Sequence, residues 1–123
     1  MNFKNINYLA GTKNISIKSL VPYANITCEF FDELSRLLLK STKAKKYTDI
    51  ISFAFWCRKK NIQNFKKNIN NSEFRVGLGL IFHICPSNIP VNFAYSFAFG
   101  LLSGNSNIVR VPSKSFPQVK IIC

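Results

Sequence analysis

The stretch that most constrains this chain is Val76–Lys114, where apolar runs, a proline-bracketed turn and a glycine stop follow in order. Val76 to Ile84 is nearly continuous apolar sequence broken only by Gly77, Gly79 and His83. Such a run suits a strand buried on both faces, as in a parallel sheet. Pro86 and Pro90 forbid regular structure through Cys85-Pro86-Ser87-Asn88-Ile89-Pro90. A helix is predicted over Val91–Leu102, with Pro90 at its start and Gly104 just past its end. Asn107 to Val111 reads as a second strand, closed by Pro112. Ser113 to Cys123 begins another helix. Strand, helix and strand together have the length of a βαβ crossover. Units of this kind hold ligands at the carboxyl ends of their strands, here Cys85–Pro90 and Val111–Ser115.

Upstream, the pattern is helical. Phe30, Phe31, Leu34, Leu37 and Leu38 recur at helical spacing, with Glu29, Asp32 and Glu33 early and Arg36 and Lys40 late. A helix is expected over Cys28–Lys40, capped by Asn25 or Thr27. Thr48 can cap a second helix with Asp49 at its start, and Ile51, Ala54, Phe55 and Arg58 are expected on one face. Ser41–Tyr47 reads as a basic linker. Asn61–Asn71 is polar, a turn or two of helix followed by loop. Met1–Val21 alternates loosely and is read as holding a short strand. The organisation expected is a helical region over 1–74 and the start of a nucleotide-binding domain over 75–123. The expected class is α/β, with N-terminal helices before the first βαβ of an incomplete Rossmann-like parallel sheet.

Charge narrows the partners. Lys and Arg number 17 against 5 Asp and Glu, a formal +12 over 123 residues. That excess attracts polyanions. Thirteen of the 17 are Lys, scattered through Asn- and Ile-rich sequence, which argues against a selected nucleic-acid face. A small basic nucleic-acid-binding protein remains the rival reading from the residues. Cys28, Cys57, Cys85 and Cys123 form no CxxC pair and meet no histidine cluster, so no metal site is expected. The chain opens on no secretory pattern, and reduced thiols in the cytoplasm are the expectation. The longest apolar run, Val91–Leu102, is too short to cross a bilayer, which takes roughly 20 residues.

Some positions could carry chemistry. A side-chain amide held between two prolines at a strand end can aim an N–H at developing negative charge. Asn88 has that setting, although an Asn that merely tolerates an awkward turn is the simpler reading of the residues alone. Arg110 with Ser113 at the second strand's end can bind ribose hydroxyls or a 2′-phosphate, or be a solvated loop end. Leu102-Ser103-Gly104-Asn105 reads as a plain helix stop. His83, the only histidine, lies mid-strand with no carboxylate within nine residues and reads as a satisfied core or cleft residue. Cys85 could be a nucleophile from its place at a strand end, but an inert thiol is the expectation.

Two stretches resemble the acyl-CoA reductases of the LuxC type, within the aldehyde dehydrogenase superfamily. One is Ile50–Lys59. The other runs from Gly77 through Pro86-Ser87-Asn88-Ile89-Pro90 and Leu101-Leu102-Ser103-Gly104-Asn105 to Ile108-Val109-Arg110-Val111-Pro112-Ser113-Lys114. The resemblance implies reduction of a fatty acyl-CoA or acyl-protein thioester to an aldehyde, with NADPH as hydride donor and a cysteine as acyl acceptor. It implies an oxyanion role for Asn88 and a border to the nicotinamide from Cys85, Pro86 and Ser87. Arg110, Pro112 and Ser113 then face the adenosine ribose, and the neutral Ser113 is compatible with NADP. In full-length relatives the resemblance leaves room for a homo-oligomer or an acyl-transferring partner, in luminescence, lipid or surface-polysaccharide pathways. None of the four cysteines here matches the family's nucleophile. The expectation is therefore an N-terminal piece, inactive alone, or one half of a split reductase.

Overall fold

The computed structural model describes residues 6–69 and 73–123. Helices α1 (Asn25–Lys40), α2 (Thr48–Trp56) and α3 (Lys59–Lys67) come first, with a 3-10 turn at Ala44–Lys46. Strand β1 (Leu80–Ile84), helix α4 (Asn92–Leu102), strand β2 (Ser106–Arg110) and helix α5 (Pro117–Ile122) follow. The strands form a two-stranded parallel sheet with Leu80 opposite Ser106 and Ile84 opposite Arg110. The fold is α/β, as the alternation of apolar runs required.

Helix α1 begins three residues earlier than its apolar spacing suggested. Neither Asn25 nor Thr27 caps it: Ala24 stands at the cap with no side-chain bond, and its carbonyl accepts from Thr27 and Cys28 N–H. Tyr23 turns the chain into the helix with φ 54°. Thr27 is instead buried on the inner stripe with Phe31, Ser35 and Leu38. Ser35 Oγ donates to the Ala54 carbonyl at 2.6 Å, a buried link between α1 and α2.

Helix α2 presents a different face from the expected one. Ile50, Phe53, Ala54 and Cys57 are buried, while Phe55 and Arg58 are exposed. The near-uniform apolar sequence left the inner face undetermined, and packing against α1 and α4 chose it. Phe53 and Trp56 meet Tyr95 of α4 edge to face at 4.9 and 5.6 Å. The core is continuous from Phe31 and Leu38 through Ile50, Phe53 and Ile62 to Phe93, Ala98 and Leu102. Polar Lys59–Lys67 forms a true helix because Ile62 and Phe65 dock on that core.

The first strand is shorter than expected, and its two faces are unequally covered. Ile81 and His83 point at α4, whereas Leu80, Phe82 and Ile84 are 44%, 58% and 70% exposed. That second face is covered only in part: Ser106, opposite Leu80, donates its hydroxyl to the Ser16 carbonyl at one end of it. Gly79 still contributes a carbonyl to the Ser106 N–H at 2.8 Å, but Gly77 leaves the ladder for a junction with Leu20 and Gly104. The Leu20 N–H donates to the Gly104 carbonyl, and the Gly77 N–H donates to the Leu20 carbonyl, both at 2.9 Å. A Cβ on Gly77 would strike the Gly104 carbonyl, and one on Gly104, at φ +86°, would strike that of Leu20. Residues 6–21 hold no strand, although Leu20 joins the sheet end through these two bonds. The expectation for 1–5 and for the loop at 70–72 lies outside the described residues.

Candidate functional site

The register Ile84–Arg110 brings the two strand ends side by side. Cys85–Pro90 leaves one strand there and Val111–Ser115 leaves the other. Each loop is tied down: Val91 is buried after the first, and Pro112 is buried within the second. Between those anchors Pro86, Ser87 and Asn88 are exposed, and Cys85 is half-buried. Arg110 and Ser113 are both exposed, and Arg110 Nη2 donates to Ser113 Oγ at 3.2 Å. Lys114 Nζ lies 5.3 Å from the centre of the Phe116 ring. The candidate residues therefore share one end of the sheet, with only hydrogen-bond donors and hydroxyls on the β2 side.

A groove of about 510 Å³ opens beside the first loop. Ile89, Val91, Asn92 and Tyr95 line it from the loop and α4, and Asp49 and Ser52 from α2. Asp49 had been read only as a favourable charge at a helix start. In the fold its Oδ1 accepts the Ile50 N–H at 2.9 Å and its Oδ2 accepts from Gln118 Nε2 at 3.1 Å. Nothing local marks Asp49 as a groove residue, because its partner is 69 positions away. Burial raises the Tyr95 hydroxyl above its ordinary range, with smaller contributions from Cys57 and Asp49.

His83 proves to be a satisfied residue. Its Nε2 lies 2.7 Å from Asn107 Oδ1, and Asn107 Nδ2 donates to the Asn105 carbonyl at 2.8 Å. Asn107 Oδ1 is thus an acceptor, so His83 Nε2 carries the proton. Gly100 fits between them: a Cβ there would strike Asn107 Oδ1.

Three of the four thiols are raised above their ordinary range. Cys57 is fully buried and pushed up to about 12 by desolvation. Desolvation also raises Cys28, whose sulfur lies 3.5 Å from the Tyr23 carbonyl, and Cys123. A thiol held protonated is a poor nucleophile. Among the described residues, no group of three or more His, Cys, Asp or Glu could hold a metal ion. No described helix is long and apolar enough to cross a membrane.

No curated protein and no solved structure gives a match to the chain. Residues 2–121, nearly the whole chain, match the family described as acyl-CoA reductase (LuxC). With that match over a parallel βαβ unit whose strand ends carry the Pro-Ser-Asn-Ile-Pro loop and Arg110, the chain belongs to the acyl-CoA reductase (LuxC) family.

Proposed function

We propose that this chain supplies the nicotinamide-nucleotide side of an NADPH-dependent fatty acyl thioester reductase, with residues 75–123 as the start of the nucleotide-binding domain and 1–74 as a helical region packed on it. The observation that carries the reading is the pairing of the two strand ends, Ile84 beside Arg110, in a parallel sheet. The residues fit a phosphorylated dinucleotide: Arg110 and Ser113 offer a guanidinium and a hydroxyl 3.2 Å apart, and both are exposed. Arg110 would hold a 2′-phosphate through charge-assisted bonds, and Ser113 would take a ribose or phosphate oxygen. The absence of a carboxylate at position 113 spares the phosphate a repulsion. When bound, the nicotinamide supplies hydride.

The loop at the end of β1 has the other task. Pro86 and Pro90 restrict the loop's backbone, which limits the positions the exposed Asn88 amide can reach. Asn88 would donate to the thioester oxygen as negative charge develops there. Cys85, Pro86 and Ser87 would border the nicotinamide, and the groove lined by Ile89, Val91 and Tyr95 would take part of the acyl donor. Cys28, Cys57 and Cys123 are held protonated and Cys85 would border the nicotinamide, which supports a reading in which the acyl acceptor is a cysteine other than these four.

Titration of the chain with NADPH, followed by nicotinamide fluorescence, tests this reading. Arg110→Ala is expected to weaken binding about ten-fold, the loss of one strong charge-assisted contact. Unchanged affinity would overturn it.

A further inference from the structure

Acidic and basic residues fall mostly on different helices of the helical layer. Glu29, Asp32 and Glu33 all sit on α1, Asp49 begins α2, and Glu73 pairs with Arg75. Helix α3 has no carboxylate. Its exposed side carries Lys59, Lys60, Gln63 and Lys67, which fall within about 100° of one another around the axis. Lys66 adjoins this arc, about 20° from Lys59 around the axis, but its ammonium is taken up by the Tyr23 carbonyl at 3.2 Å. Asp32 Oδ1 accepts the Lys59 backbone N–H at 3.1 Å, so one carboxylate reaches the start of α3. Among the described residues, however, the ion pairs are Arg36–Glu33 and Arg75–Glu73, and no α3 ammonium group is in an ion pair.

Arg58, just before α3, is held in place. Its guanidinium lies 3.9 Å from the centre of the Phe55 ring, and both residues are exposed. A stacked guanidinium keeps its outer plane free for another π system and its edges free for phosphate. A flat base joined to phosphates is the ligand that uses both. Location adds a second argument. Ser52 lines the 510 Å³ groove, and Phe55 lies one turn further along α2, roughly 4.5 Å on, also facing solvent. The outer side of α2 thus leads from the groove to the cations.

We infer that Arg58, Phe55 and the lysines of α3 bind the phosphorylated adenosine head of a coenzyme A thioester, whose pantetheine arm follows α2 into the groove. The inference rests on the acyl thioester reading above and adds a site separate from Arg110 and Ser113. The cationic surface is one nine-residue helix, about 13 Å long. That length suits one nucleotide head, whereas nucleic acid binding draws on a longer row of phosphates.

The test uses the whole chain, titrated with coenzyme A, dephospho-coenzyme A, pantetheine, NADPH and a short oligonucleotide. Coenzyme A is expected to bind saturably, and loss of its 3′-phosphate to weaken it several-fold. Arg58→Gln with Lys59→Gln and Lys60→Gln should weaken coenzyme A about ten-fold, the product of three exposed charge contacts, and leave NADPH and pantetheine unchanged. Lys59→Gln with Lys60→Gln, which keeps the Arg58–Phe55 stack, should give a smaller loss, and circular dichroism should match the parent for both. Coenzyme A affinity that ignores the α3 substitutions overturns the inference. So does loss of coenzyme A on Arg110→Ala, which would put both nucleotides in one site, or tighter oligonucleotide binding that the α3 substitutions abolish. If coenzyme A follows α3 while NADPH fails to bind, this site stands and the dinucleotide reading falls.

Discussion

Asn105 holds Leu78 across the start of the sheet: its Oδ1 accepts the Leu78 N–H at 2.6 Å and that of Gly79 at 3.2 Å. Its Nδ2 donates to the Gly100 carbonyl at 3.2 Å, so one buried side chain ties the strand entry to the end of α4. Asn105→Ala leaves the buried Gly79 N–H and the part-buried Leu78 N–H without their acceptor. We expect it to destabilise the fold by about 2–3 kcal/mol, read as a shift of the urea midpoint. A shift of a few tenths of a kcal/mol would show that water replaces the amide.

Phe53 and Phe55 are neighbours with opposite fates. Phe53 is fully buried and Phe55 is 43% exposed. Phe53→Ala should cost about 3–5 kcal/mol and Phe55→Ala well under half of that, measured by the same unfolding curves. Equal losses would mean that the inner face of α2 is assigned to the wrong residues.

Cys57 gives the fold an alkaline weakness. Its thiol is raised from 9.0 to about 12 in the folded chain. Between those values the unfolded chain has released its proton and the folded chain has kept it. Stability contributed here is therefore full below pH 9 and falls as pH rises from 9 towards 12, by up to about 1.4 kcal/mol per pH unit. Replacing the thiol in Cys57→Ala should remove that part of the slope while lowering stability at neutral pH through the cavity it leaves. Unfolding curves at pH 7, 9 and 10 for both chains decide it; parallel slopes would rule out the thiol as the source.

The sheet's open face predicts a solution property. Leu80, Phe82 and Ile84 share one face of β1 and are increasingly exposed along it, from 44% to 70%. An apolar surface of this kind binds hydrophobic dyes and promotes association. Phe82→Ser should lower dye fluorescence and raise solubility with little loss of stability, because the ring is already 58% exposed. A large loss of stability would show the face to be covered in solution.

Much of this architecture was legible because its determinants are local. Pro86, Pro90, Gly104 and Pro112 punctuate strand, helix and strand, and the elements appear where that punctuation puts them. What stayed hidden depends on distant partners. Gly77 looked like part of a strand, yet its role is the close approach of Gly104. Asn105 looked like a helix stop, and Asp49 like a helix start, until Leu78 and Gln118 met them. The inner face of α2 was misjudged because nearly every position in it is apolar. Arg110 and Ser113 were legible as candidates, and their hydrogen bond at the strand end is what the fold adds.

In an assembled enzyme that contains this chain, Asn88→Ala should lower turnover by roughly 10²–10³, the usual effect of deleting one oxyanion donor, with NADPH affinity nearly intact. Steady-state rates of aldehyde formation measure it. A change of only a few-fold would remove the oxyanion role and leave Asn88 as a turn residue.

The central claim is that the paired strand ends of Ile84 and Arg110 receive a 2′-phosphorylated nicotinamide nucleotide. Parallel titrations of the chain with NADPH and NADH, repeated on Ser113→Asp, test it most directly. The account predicts tighter NADPH than NADH for the parent, and loss of that preference once a carboxylate faces the phosphate. Equal affinities in the parent, or a preference that survives Ser113→Asp, would contradict it.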